Sequence, residues 1–176
     1  MADAPKTAGI GGHHRAYRGR SDDWLTPPEI IEALGPFDLD PCACVDMPWS
    51  TAETMWTVED DGRLREWFGR VWCNPPYGPE LRQWVERLAS HGNGIALIFA
   101  RTETAAFFDH VWGKADAMLF IKGRLHFHLP TGERAKANAG GPSVLIAYGD
   151  ANVESLRSSG VAGAFVDLRE REVARG

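Results

Sequence analysis

Val-Trp-Cys-Asn-Pro-Pro-Tyr-Gly, at residues 71–78, is the stretch on which the predicted fold depends. It is an apolar run that ends in an amide, two prolines and an aromatic ring. Proline fixes its own φ, lacks an amide hydrogen and disfavours helical backbone in the preceding residue. The stretch therefore predicts a strand that ends in a rigid turn, with the Asn74 side-chain oxygen and the adjoining carbonyls fixed beside Tyr77. Two oxygen acceptors and a ring suit a planar group that carries an NH2.

The segment before this turn predicts a helix and then a strand. Thr26 is a natural N-cap, Glu29 completes a capping box, and the helix ends near Leu34. Residues 37–41 then form a short strand that brings Asp40 to its carboxyl end. Ligands bind at that end of the strands in open α/β sheets, so Asp40 is a candidate site residue. The alternative for Asp40 is a helix cap or a buried hydrogen-bonding partner.

The connection that leads to the turn is less regular. Residues 54–58 are a predicted strand, and residues 59–62 are a turn rich in carboxylates. We interpret that turn either as a binding site for a ribose or an amine, or as a plain solvated turn. The apolar side chains predicted to enter the core here are Leu64, Trp67 and Phe68.

After the turn, helical and strand patterns alternate. Residues 79–91 have one apolar face at helical spacing, and residues 95–100 form an unbroken apolar strand of the kind buried on both faces. Residues 101–104 begin another helix, whose inward side chains are predicted to be Phe107, Phe108, Val111 and Trp112. This alternation is typical of α/β proteins.

In the second half of the chain, three predicted strands follow one another with no long helix between them. Strands are predicted at residues 117–121, 124–128 and 143–148, with a polar loop at 129–142, a helix at 152–158 and a last strand at 164–168. We therefore predict an α/β, Rossmann-like fold. Its mixed, mostly parallel sheet would have helices on both faces and a C-terminal antiparallel hairpin.

Length and composition predict a single domain. A chain of 176 residues with 44% hydrophobic and 24% charged side chains suits one compact domain, which we place at residues 21–170. Residues 1–20 form a predicted flexible basic arm, and residues 171–176 a tail. The arm contains Arg15 and Arg18 and is either a phosphate-contacting segment or a solvated terminus or cloning remnant. We see no apolar run long enough to cross a bilayer, and we expect a cytoplasmic protein.

The three cysteines and the overall charge limit the functions further. Cys42, Cys44 and Cys73 are an odd number, which fits a reducing compartment better than a disulfide framework. Together with His126 or His128 they have none of the usual zinc-ligand spacings, so we predict no metal. The net charge is −5, so any contact with nucleic acid must come from a local basic patch.

A set of motifs in one order resembles a known family. The motifs are Asp-Trp-x-Thr-Pro at 23–27, Phe-Asp-Leu-Asp-Pro-Cys-Ala at 37–43, Trp-x-Asn-Pro-Pro-Tyr at 72–77, and Gly-Arg-Leu-x-Phe at 123–127. They resemble the phage-type DNA N6-adenine methyltransferases from about residue 22 to residue 148. Asn-Pro-Pro-Tyr alone also occurs in glutamine and rRNA methyltransferases, but the ordered set is more specific. The chain departs from ordinary methyltransferases in having Asp-Pro-Cys-Ala in place of a glycine-rich turn.

The resemblance implies a class I methyltransferase fold, S-adenosylmethionine as cofactor, and transfer of a methyl group to the exocyclic amino group of adenine in DNA. An amino nitrogen conjugated to a ring is a poor nucleophile, and accepting its protons on Asn74 and Pro75 would free its lone pair. The predicted catalytic residues are Asn74, Pro75, Pro76 and Tyr77. The predicted cofactor-binding residues are Trp24, Thr26, Pro27, Asp40, Pro41, Cys42, Ala43, Asp60 and Asn74.

The resemblance also implies a double-stranded DNA partner with a flipped adenine, and a phage or prophage origin in a bacterial host cell. The predicted DNA-binding residues are Arg15, Arg18, Lys122, Arg124, His126, Arg134 and Lys136. We expect no membrane partner, and the sequence leaves the oligomeric state open. Two alternatives are a methyltransferase acting on a protein glutamine or an rRNA base, and an inactive DNA-binding relic of the fold.

Overall fold

The computed structural model describes residues 24–170. The predicted arm at residues 1–20, with Arg15 and Arg18, and the predicted tail at residues 171–176 lie outside the described residues. Across residues 24–170, no helix combines the length and the apolar character that crossing a membrane requires.

The described residues build one seven-stranded sheet with the order β2-β1-β3-β4-β6-β5-β7. Strands β1 to β4 are mutually parallel, and β6 runs antiparallel to both of its neighbours, β4 and β5. Strand β7 is antiparallel to β5 at the far edge. The strands are β1 Leu39–Asp40, β2 Thr54–Met55, β3 Val71–Cys73, β4 Gly94–Phe99, β5 Ala117–Ile121, β6 Ser143–Tyr148 and β7 Gly163–Asp167.

Helices cover both faces of this sheet. They are α1 Pro28–Leu34, α2 Leu81–His91, α3 Ala105–Phe107, which widens into a π-helical turn at Phe108–Trp112, and α4 Asp150–Ser158. The apolar sides of α2 and α3 pack into one core cluster with β1, β3 and β4. Those of α1 and α4 pack into a second cluster on the other face. The predicted mixed sheet with helices on both faces and antiparallel C-terminal strands is confirmed.

Strand direction brings several chain segments to the side of the sheet where the parallel strands end, which we call the carboxyl edge. Strands β1, β3 and β4 all end at this edge. Because β6 is antiparallel to β4, Ser143 pairs with Phe99 at the same edge, and β5 also ends there. The connection between β5 and β6, residues 122–142, therefore starts and finishes at the edge where the turn after β3 lies.

The start of α1 differs from the predicted capping box. The N-cap position is Pro27, with no side-chain cap, and the helix begins at Pro28. The Pro27-Pro28 pair fixes the backbone where the helix starts, and the Ile30 amide donates to the Pro27 carbonyl at 3.0 Å. Thr26 lies one residue too early to cap the first turn and is buried instead.

The predicted strand at residues 124–128 is also wrong. Only His128 makes isolated bridges, one with Leu25 and one with Arg134. Polar and glycine-rich chain on both sides of this short apolar alternation offers no neighbouring strand along its length, so a ladder does not form. The polar stretch at residues 129–142 forms no helix or strand, as predicted.

Three side chains predicted to enter the core are exposed: Leu64, Phe68 and Phe108. The first two lie in a turn-rich connection after the edge strand β2. The aromatic side chain buried there is Trp67, whose Nε1 donates to the Gly62 carbonyl at 2.7 Å. Phe108 lies where α3 changes to π-helical geometry. A wider turn rotates the following side chains relative to a regular helix, so the apolar stripe of the sequence is displaced there.

Leu88 and Leu64 offer a matched test of this core. Leu88 of α2 is 0% exposed, whereas Leu64 is 83% exposed. We expect Leu88→Ala to lower the free energy of unfolding by about 2–5 kcal/mol because it removes buried methyl groups and leaves a cavity. Leu64→Ala should change the free energy of unfolding by less than about 0.5 kcal/mol. Urea unfolding of both variants checks this, and equal losses would contradict the packing described.

Candidate active site

A pocket opens at the carboxyl ends of β1 and β3, where the Asn-Pro-Pro-Tyr turn begins. Its volume is about 440 Å³, including the open mouth. This first pocket is lined by Trp24, Leu25, Thr26, Asp40, Cys42, Ala43, Cys44, Met47, Thr51, Trp72, Asn74, Pro75, Pro76 and Tyr77.

Asn74 has a fixed side-chain orientation and a free acceptor. Its Nδ2 donates a hydrogen bond of 2.8 Å to the Trp24 carbonyl. Its Oδ1 is buried and has no hydrogen-bond partner among residues 24–170. A buried acceptor without a partner is costly, so its presence beside a pocket marks a position where a donor from a ligand can be received.

The Trp24 carbonyl is held in place by two backbone hydrogen bonds of the next residue, Leu25. The Leu25 amide donates to the His128 carbonyl at 2.9 Å, and the His128 amide donates to the Leu25 carbonyl at 3.0 Å. The His128 ring also meets Trp49 edge-on, with ring centroids 5.3 Å apart. The orientation of Asn74 therefore depends on residues from both the first described segment and the connection after β5.

Asp40 is buried at the end of β1, and both of its oxygens have partners within the protein. Oδ1 accepts from the Cys42 amide at 3.0 Å, and Oδ2 accepts from the Thr51 hydroxyl. Burial raises the pKa of Asp40 to about 6, although these two hydrogen bonds act in the opposite direction. Asp40 lines the first pocket, and its two hydrogen bonds also fix the chain around that pocket. These contacts agree with the alternative in which Asp40 is a buried hydrogen-bonding partner.

A second pocket adjoins the first at Tyr77. Its volume is about 420 Å³, and it shares Trp24 and Tyr77 with the first pocket. Phe99 stacks on the Tyr77 ring with centroids 4.3 Å apart and an interplanar angle of 9°, and Phe127 meets that ring edge-on. Burial raises the pKa of Tyr77 well above its usual range, so its hydroxyl stays neutral. The ring is thus an uncharged surface that lines both pockets.

The structure brings most of the predicted site residues together. The four predicted catalytic residues all line the first pocket, as do Trp24, Thr26, Asp40, Cys42 and Ala43 from the predicted cofactor set. Pro27 and Pro41 lie outside its lining. Asp60 also lies outside: its carboxylate accepts from the Thr57 amide at 3.0 Å and pairs with Arg65 at 2.9 Å.

Several lining residues had no signal in the sequence. Thr51 and Met47 belong to an irregular connection, and nothing local indicates that the chain folds back onto Asp40. The second pocket was not predicted as a pocket, because Phe99 and residues 137–139 meet only through the antiparallel return of β6. The sole indication was the apolar character of Phe127 within a polar region.

The cysteines form neither a disulfide nor a metal site in the part of the chain that the structure describes. The sulfur atoms of Cys42 and Cys73 are 3.8 Å apart, and all three cysteines are free thiols. Burial raises the pKa of Cys42, so it stays protonated and acts as a small apolar side chain. No cluster of three or more metal-ligating side chains occurs within residues 24–170.

The predicted DNA-binding residues that are described lie in the connection between β5 and β6. Lys122, Arg124, Arg134 and Lys136 are exposed, and none forms an ion pair with another described residue. His126 is half-buried, with Nδ1 3.3 Å from the Ala135 carbonyl.

The sheet order, the site at the carboxyl ends of parallel strands, and the reversed β6 define a Rossmann-like α/β fold of the methyltransferase class. The chain matches the family described as DNA N-6-adenine-methyltransferase (Dam) over residues 15–159. It belongs to that family, and at the level of the family it is a DNA adenine methyltransferase. The resemblance found in the sequence is confirmed. No curated protein and no solved structure gives a significant match to the chain.

Asp40 gives the stability of the protein a defined pH dependence. Because its pKa is about 6 in the folded chain against 3.8 ordinarily, the folded state binds more protons than the unfolded state between these values. Its contribution to the free energy of unfolding therefore falls as the pH rises through this window, by about 2 kcal/mol between about pH 4.5 and about pH 7.

Asp40→Asn removes this titration and keeps one oxygen that can accept from the Cys42 amide, while its NH2 group can donate to the Thr51 hydroxyl. Between about pH 4.5 and about pH 7, we expect the free energy of unfolding of the wild type to fall by about 2 kcal/mol more than that of the variant. Urea unfolding of both proteins at the two pH values measures the difference. An identical pH dependence in both proteins would contradict the raised pKa.

Proposed function

We propose that the protein transfers a methyl group from S-adenosylmethionine to the exocyclic amino group of an adenine in double-stranded DNA, at a specific site. The observation that carries this proposal is Asn74: its Nδ2 is fixed by the Trp24 carbonyl, and its Oδ1 is a buried acceptor with no partner among the described residues. The amino group of a flipped adenine supplies the missing donor.

The turn after β3 has the parts needed to activate an amino nitrogen. Asn74 Oδ1 accepts one amino proton, and the Pro75 carbonyl accepts the other. Holding both protons favours a pyramidal nitrogen, localises its lone pair and stabilises the positive charge that develops on it. The two prolines fix these acceptors before the base arrives, so little ordering remains at the moment of reaction.

Tyr77 is suited to hold the plane of the base. Phe99 covers one face of its ring, so a base can contact only the opposite face or the edge of the ring. Tyr77 also packs against both core clusters, which restrains the ring. Contact with the ring therefore limits the plane of the base relative to Asn74 Oδ1.

The first pocket fits the proposed cofactor. It lies at the carboxyl ends of β1 and β3, where ligands bind in open α/β sheets. The Thr26 hydroxyl, buried without a hydrogen-bond partner among residues 24–170, and the small side chains of Cys42 and Ala43 would border the ligand. When bound, S-adenosylmethionine supplies an electrophilic methyl carbon, so the reaction requires alignment by the protein rather than a protein nucleophile.

The exposed cations of the β5–β6 connection are suited to hold DNA phosphates. They lie at the same edge of the sheet as the turn after β3, so phosphates held there would place a flipped base near Asn74. A base taken out of a duplex loses a few kcal/mol of stacking and pairing, which such contacts help to offset. Origin in a phage or prophage and action in the cytoplasm of a bacterial host stay predictions of the resemblance.

Asn74→Ala tests the proposed reaction. With labelled S-adenosylmethionine and adenine-containing duplex DNA, we expect the wild type to label DNA and the variant to lose at least about 100-fold in kcat/KM, because a preorganised acceptor is missing. Leu64→Ala, at an exposed residue that lines neither pocket, should retain wild-type activity. Melting temperatures show whether each variant is folded.

Other patterns of label contradict the proposal. Label found only in protein or RNA would identify a different planar amino group as the substrate. DNA binding by the wild type without cofactor binding or label would indicate an inactive relic of the fold. Undiminished labelling by folded Asn74→Ala would show that Asn74 is not the acceptor.

The position of the DNA is tested by two lysines that differ in location. Lys136 lies in the β5–β6 connection, whereas Lys114 is an exposed lysine that precedes β5 at the opposite edge of the sheet. For Lys136→Ala we expect the slope of log K against log salt concentration to fall by about 0.9, the value for one lost phosphate contact. Lys114→Ala should leave the slope unchanged, and a reversed result would place the DNA elsewhere.

A further inference from the structure

The second pocket has the shape and chemistry of a site for a planar ring. Its walls include four aromatic side chains, those of Trp24, Tyr77, Phe99 and Phe127. Tyr77 also lines the first pocket, as does Asn74. A base that enters the second pocket therefore has aromatic surface around it and can direct its amino group toward the turn after β3.

Asn138 supplies the only side-chain amide among the described residues that line this pocket. Its neighbours Ala137 and Ala139 also line it and, being small, leave room for a ring. Two backbone hydrogen bonds hold this stretch in place. The Ala135 amide donates to the Phe127 carbonyl at 2.8 Å, and the Ala139 amide donates to the Leu125 carbonyl at 2.7 Å. Asn138 is thus held between two anchored residues at the rim.

An adenine held at Asn74 still has unused hydrogen-bonding groups. Both amino protons are accepted by Asn74 Oδ1 and the Pro75 carbonyl in the proposed reaction, so the ring nitrogens N1 and N7 beside the amino group need donors. An asparagine amide has two N–H donors and pairs well with adenine acceptors. Guanine presents an N1–H donor where adenine has the N1 acceptor, so an amide that donates to N1 meets a different pattern on guanine, whereas N7 is an acceptor in both bases.

We propose that the second pocket receives the flipped base and that Asn138 Nδ2 donates a hydrogen bond to one of the two ring nitrogens beside the amino group. This inference rests on the proposed function and assigns to it the site and the residue that recognise the base. Lys136, two residues before Asn138, is exposed on the same anchored stretch. One short segment therefore presents a donor for the base and a cation for the phosphate backbone.

Adenine analogues that lack one ring nitrogen test this assignment. Duplexes with 1-deazaadenine or 7-deazaadenine at the target position remove N1 or N7 and keep the amino group. For the wild type we expect kcat/KM to fall about fivefold on one of the two analogues, the value of one lost hydrogen bond. For Asn138→Leu we expect kcat/KM on ordinary adenine to be about fivefold below that of the wild type. Replacing adenine by that same analogue should lower kcat/KM of the variant by less than about twofold.

Glu133→Gln is the matched control, because Glu133 is exposed in the same connection and does not line the pocket. It should keep the wild-type penalty. The assignment is overturned if the wild type loses nothing on either analogue, or if Asn138→Leu keeps the full penalty while it still methylates ordinary adenine. Absence of transfer to ordinary adenine DNA by the wild type would overturn the proposed function itself, and this inference with it.

Discussion

The hydrogen bond from Asn74 Nδ2 to the Trp24 carbonyl is the contact on which the rest of the site depends. It decides which end of the amide faces the pocket, and so leaves an oxygen rather than an NH2 group directed at an incoming ligand. An amide free to rotate would offer a donor as often as an acceptor. Because the carbonyl belongs to a segment far from Asn74 along the chain, a local motif acquires its chemical polarity from tertiary structure.

Sheet topology explains why that segment is available. Strand β5 brings the chain to the edge where β1, β3 and β4 end, and the antiparallel β6 starts there, so the connection of residues 122–142 lies at that edge. Within it, His128 pairs with Leu25 through two backbone hydrogen bonds, which hold the carbonyl of Trp24 near β3. The same connection supplies Phe127 to the second pocket and exposed cations to the surface. One antiparallel strand thus positions three different components of the proposed active site.

The sequence predicted the parts of the structure that local patterns control. Strand β4 and helix α2 follow from an unbroken apolar run and from helical spacing, and the turn at Asn74 follows from two prolines. Prediction was less successful where a distant partner decides the outcome. Thr26 has the features of an N-cap, but Pro27 and Pro28 fix the helix start beyond its reach. Leu64 and Phe68 are apolar, yet the turns around them provide nothing to bury them against.

The same distinction applies to the candidate site. Asn74, Tyr77 and Asp40 were identified because their motifs lie at strand ends, where topology brings ligand-binding residues together. Thr51, which hydrogen-bonds to Asp40, could not be found, because no periodicity or spacing links it to β1. Asp60 was considered for its charge alone, and its carboxylate is engaged by Thr57 and Arg65.

The backbone pairing of Leu25 with His128 has a consequence for how this protein can change over time. In the proposed function, the connection of residues 122–142 both contacts DNA and supports the catalytic amide, so it cannot be exchanged as an independent module. Replacing it to acquire a new target sequence would also alter the support of Asn74, so specificity and turnover would vary together. Diversification is therefore expected to proceed by single side-chain changes on an unchanged backbone, rather than by insertion or transplantation of loops.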